Sequence, residues 1–173
     1  MNMDNPMDKL IAKLEDAVQR QIALHEKLLT VMKLKVDAFR KADHDAAVAC
    51  TRQENIELQQ IAEIEKQRLV LVAELTRSVD AKAKQPLMMG ELAERLPEPA
   101  RGRLLVLRGK LKERMEMVQR EGSVVRRASE ALLRHMQGIV QSISGAITGI
   151  STYSRKGAPP RMAMSVSTFS ATG

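Results

Sequence analysis

The sequence predicts an all-α protein: an antiparallel hairpin of two long helices, a third long helix packed along it as an elongated, coiled-coil-like three-helix bundle, and a flexible C-terminal tail. Three observations predict it. Apolar residues recur every seven positions through three long stretches. Aromatics are limited to Phe39, Tyr153 and Phe169, so Ala, Val, Ile, Leu and Met carry the 44% hydrophobic share, as in helices packed on helices. The breaks between stretches carry turn and Pro chemistry, at Arg40–Asp45, at Asp80–Pro86 and at Pro97-Glu98-Pro99.

The first helix is expected over about 6–39. Asn5 can cap it, and Pro6 suits a first helical turn. Its apolar face repeats as Ile11, Val18, His25, Met32 and Phe39, flanked by Leu10, Ala17, Leu24, Val31 and Ala38. Lys and Glu lie opposite, and no Gly or Pro interrupts the run. Asp43 or Asp45 can cap a second helix, expected over 45–79 through Ile56, Ile61, Ile64, Val72 and Leu75. Two long helices joined by so short a turn must run antiparallel to bury their stripes.

A linker then leads to a short helix expected over 88–96, ended by the Pro pair. The last helix is expected over 100–152, with a heptad series Leu104, Leu111, Val118, Val125, Leu132, Ile139 and Ala146. Fifty residues of helix span roughly 75 Å. Gly122 and Gly138 inside it are candidate sites for a kink or fraying. Residues 1–153 therefore read as one helical domain and 154–173 as a flexible tail.

Charge is segregated. Residues 43–97 are net −3, whereas residues 98–173 carry 13 basic and 5 acidic side chains, net +8. The acidic second helix is thus expected to lie beside the basic last one.

Several function classes are disfavoured. A lone Cys50 excludes an internal disulfide, and one Cys with three His is a poor metal-ligand supply, so no cofactor or metal is expected. His25, His44 and His135 have no triad or ligand partner at a useful spacing, and no phosphate-binding or metalloprotease motif is present. An enzyme with a small-molecule substrate is therefore not expected. Scarce rings disfavour a base-stacking nucleic-acid binder, and the arginines of the last helix are interleaved with Glu113, Glu116, Glu121 and Glu130. The opening MNMDNPMDKL has acids where a secretory signal needs bases, and the uncharged stretch 136–153 is too polar to span a membrane. A cytoplasmic location is expected.

That uncharged stretch is the most unusual segment. Met136, Ile139, Val140, Ile143, Ile147 and Ile150 form an apolar stripe on a background of Gly, Ser, Thr and Gln. A last helix of about fifty residues is expected to outrun two helices of about 35. Its stripe then suits a partner helix. Weak self-association through the same stripe, as in a structural coiled-coil scaffold, fits the pattern too. So does a basic peripheral protein bound to anionic membrane or nucleic acid.

The layout resembles the FlgN-type flagellar export chaperones. The resemblance rests on Leu28-Leu29, Lys35, Ala38 and Asp43, then Glu54, Ile61, Ile64-Glu65 and Arg68, then the Leu-Ala-x-x-Leu-Pro element Leu92–Pro97. The long helix that follows closes on Thr152-Tyr153 and Lys156-Gly157. The sequence departs from that family at Gln119–Ser123, where members often carry Asn, and in its basic pI of about 9.8. The resemblance implies a chaperone that binds the C-terminal segments of hook-associated proteins, prevents their premature assembly and delivers them to the export gate protein FlhA. It places cargo on Met136, Ile139, Val140, Ile143, Ile147 and Ile150, and the gate contact on Tyr153, Arg155 and Lys156.

Overall fold

The computed structural model describes residues 6–150, with side chains placed through residue 145. All regular structure among these residues is helical: α1 Pro6–Arg40, α2 His44–Val79, α3 Met89–Glu94 and α4 Ala100–Ile150. The candidate cap Asn5 and the tail 154–173 lie outside the described residues. The chain divides into two units, Met1–Leu133 and Arg134–Gly173.

In the first unit, α1 turns its heptad series inward. Ile11, Val18, His25 and Met32 are buried, together with Leu14, Leu28 and Val36. The partner face of α2 buries Ile64, Val72 and Leu75. Two cross-links fix the direction of the pair. Gln21 Nε2 donates to Glu65 Oε2 at 2.6 Å, and Lys35 binds Glu54. Rising numbers on α1 meet falling numbers on α2, so the hairpin is antiparallel.

The turn between them is a Schellman motif. The Asp43 N–H reaches back to the Ala38 carbonyl at 2.9 Å, and the Ala42 N–H to Phe39 at 3.2 Å. Ala42 takes the left-handed conformation the motif requires, with φ 53°. Asp43 then serves α2: its Oδ1 accepts the Ala46 N–H at 3.0 Å. Of the two candidate caps, Asp43 is the one used.

The linker after α2 is tied down by the buried Thr76. Its hydroxyl donates to the Val72 carbonyl at 2.7 Å and accepts the Leu87 N–H at 3.1 Å. Asp80 pairs with Arg95, which holds its carboxyl below the usual carboxylate range. Leu92, Ala93 and Leu96 are thereby inserted into the main core with Ile11, Leu14, Val18, Leu75 and Leu104. Complete burial of one Leu contributes about 1.5–3 kcal/mol.

α4 joins α1 in parallel. Arg103 Nε donates to Glu15 Oε1 and Arg114 Nε to Glu26 Oε1, each at 2.9 Å. A Cβ added at Gly122 would meet Met32 Cε at 3.5 Å, so the two helices stay close there. The expected match of basic α4 with acidic α2 is thus corrected: among the described residues, the ion pairs from α4 to another long helix go to α1. Three of the α2 carboxylates are engaged elsewhere, Glu54 by Lys35, Glu57 by Gln53, and Glu65 by Arg68 and Gln21. Leu104, Leu107 and Leu111 are buried, and beyond Leu111 no described α4 residue is fully buried.

Candidate functional site

The second unit presents the segment singled out by composition. Spacing of three, four and seven places Met136, Ile139, Val140 and Ile143 along one helical face. Their exposures are 55%, 47%, 62% and 54%, far from those of the core leucines. Between Met136 and Gly145 no side chain is charged. Ser142 turns its hydroxyl back onto the Gly138 carbonyl at 2.9 Å, so that polar group is satisfied within the helix. The result is an apolar stripe with a neutral surround. Ile147 and Ile150 fall within the α4 range, but their side chains lie outside the described ones, as do Tyr153, Arg155 and Lys156 altogether.

Among the described residues, nothing in the first unit gathers catalytic groups. His25 is buried, and its Nδ1–H donates to the Gln21 carbonyl at 2.7 Å. His44 is the exposed first residue of α2, and Cys50 is a half-buried free thiol. No group of His, Cys, Asp and Glu among the described residues could hold a metal ion. No described helix is long and apolar enough to cross a membrane.

A part-buried polar seam crosses the hairpin instead. Glu65 takes Arg68 and Gln21 together, and the Arg68 hydrogen bond, aided by that of Gln21 and by His25 nearby, holds its carboxyl below the usual range. Gln21 Oε1, and on α2 Glu57 Oε2, are buried without a hydrogen-bond partner.

A second surface escapes a reading of the sequence. On the hairpin, two adjoining depressions of about 340 and 460 Å³ share Arg20 and Gln67. The series that carries Ala17 and Leu24 was its only signal, and that series reads equally well as core.

Residues 3–161 match the family described as "FlgN protein", nearly the whole chain. The chain belongs to the FlgN family. The FlgN proteins are a family of flagellar chaperones, not of enzymes. No curated protein and no solved structure matches this FlgN-family chain at a significant level.

Proposed function

We propose that this chain is a cytoplasmic export chaperone for flagellar hook-associated proteins. Their C-terminal helical segments dock on the stripe of Met136, Ile139, Val140 and Ile143, continued in sequence by Ile147 and Ile150. The observation that supports this reading is the row of four large apolar side chains, each about half exposed on an uncharged helical face, in a member of the FlgN family.

The physics suits a temporary complex. An amphipathic cargo end has no partner before assembly. The stripe offers it desolvation at roughly 25 cal/mol per Å² of apolar surface covered. Ordering of the cargo subtracts several kcal/mol from that gain, so the complex remains releasable. The neutral surround discriminates little by charge, which suits more than one cargo end.

Delivery is assigned to the residues that follow. Tyr153 joins an apolar ring to a hydroxyl, with Arg155 and Lys156 beside it in sequence, a combination suited to docking on the export gate protein FlhA. Tyr153→Ala is expected to weaken binding to FlhA while leaving cargo affinity unchanged.

The test of the cargo site is Ile143→Asp, measured for binding and for melting. It is expected to lower affinity for hook-associated C-terminal peptides at least ten-fold with little change in Tm. An equal loss of folding makes the stripe core. Loss of a concentration-dependent oligomer instead, with no peptide binding by the parent chain, favours a self-associating scaffold.

A further inference from the structure

α4 fills one groove of the α1–α2 hairpin, where it meets Glu15, Glu26 and Met32. The opposite groove has no covering element among the described residues of the first unit. Its floor is apolar: Ala17, Leu24, Ile64 and Leu71. Its two rims differ. On the α1 rim stand Lys13, Arg20 and Lys27, spaced seven apart and all exposed. On the α2 rim stand Gln60 and Gln67, also seven apart, with the exposed Glu63 between them, while Asp16 lies beside Arg20 on the α1 side. Lys13 and Lys27 make no ion pair among the described residues, and Arg20 reaches Asp16 only at 3.6 Å. An apolar floor between two heptad-spaced rims is the seat of a further helix.

We propose that this groove binds an amphipathic helix of a partner protein that carries carboxylates at heptad spacing on the flank facing α1. Charge selects that occupant. Lys13 to Lys27 spans four turns, so three Asp or Glu seven residues apart can face all three cations. On the other flank Gln60 and Gln67 hydrogen-bond to polar groups of either kind, and Glu63 disfavours acids there, so the carboxylates belong on the flank facing α1. The chain's own C-terminal segment has the wrong sign: residues 151–173 contain Arg155, Lys156 and Arg161 and no acid. A second copy's α4 is also a poor occupant, with ten basic and four acidic side chains over 100–150. The groove belongs to the first unit and the stripe at Met136–Ile143 to the second, and the proposal does not rest on the cargo reading.

The test uses two designed helical peptides with the same Leu/Ala seam, one flanked by Glu at heptad spacing and the other by Lys. Binding to the full chain is read by fluorescence anisotropy at two salt concentrations. The Glu-flanked peptide is expected to bind at least ten-fold tighter, less so at high salt. In Lys13→Glu/Arg20→Glu/Lys27→Glu the order inverts. In the milder Lys13→Gln/Arg20→Gln/Lys27→Gln the two peptides become equal, which keeps the test open should the reversed variant fail to fold. Ile143→Asp changes neither affinity. The proposal is overturned if the parent chain binds both peptides alike, if the preference survives the Gln variant, or if Ile143→Asp removes it. Light scattering that shows the rim variants dissolving a dimer of the chain assigns the groove to a second copy and overturns it equally.

Discussion

Glu15 and Arg103 meet across the α1–α4 interface at 2.9 Å, and the same contact recurs between Glu26 and Arg114 at 2.9 Å. Both pairs join residues 88 apart in sequence. Eleven residues on each helix separate them, three turns of helix, so one register holds over the whole distance. The parallel alignment of α1 and α4 is therefore specified by charge as well as by the leucines. Glu15→Arg or Arg103→Glu alone is expected to cost about 0.5–1 kcal/mol, and the double exchange to recover part of it, as partly exposed pairs do. Thermal melts of the four proteins in the cycle check this.

Two glycines inside α4 leave stability unused. A Cβ at Gly109 meets nothing within 4 Å, and at Gly122 only the flexible end of Met32 at 3.5 Å. Gly109→Ala and Gly122→Ala are each expected to stabilise the fold by roughly 0.5–1 kcal/mol through helix propensity. Urea unfolding should show raised midpoints with unchanged m.

The turn at residues 41–43 makes the opposite case. Ala42 holds a φ of 53°, where an L side chain is strained. Ala42→Gly is expected to gain about 0.5–1 kcal/mol, since Gly carries no such strain. Asp43→Ala, one residue on, should lose about 1 kcal/mol with the α2 cap. The two changes in Tm should have opposite signs.

Glu65 gives the fold an acid-sensitive contact. Its depressed pKa means that the folded chain binds that proton less readily than the unfolded chain. The stabilisation is complete above the unfolded glutamate pKa and is lost as pH falls through the lower folded value. Glu65→Gln is expected to flatten the dependence of Tm on pH in that acidic window. Near neutral pH it should lower Tm, because Arg68 loses its partner.

The fold class was legible because heptads survive in a single sequence: Ile11, Val18, His25 and Met32 announce one buried face without any knowledge of its partner. The partner of α4 was not legible. Net charge by segment averages over helix faces, and Glu54, Glu57 and Glu65 of α2 were already engaged by Lys35, Gln53 and Arg68. Nor did any Gly or Asn announce the left-handed turn at Ala42, which the surrounding hydrogen bonds impose. At the candidate site, spacing and absent charge marked Met136, Ile139, Val140 and Ile143, but packed and exposed stripes have the same spacing; exposure had to be seen. The cationic rim of Lys13, Arg20 and Lys27 gained meaning only once Gln60 and Gln67 were placed across from it.

The central claim is that the end of α4 receives the cargo. Titration calorimetry of the full chain with C-terminal peptides of hook-associated proteins tests it most directly, beside a chain ending at Met136. The account predicts saturable binding by the full chain, with the negative heat-capacity change of apolar burial, and none by the shortened chain. Equal binding by both chains would contradict it and move the cargo site into the first unit.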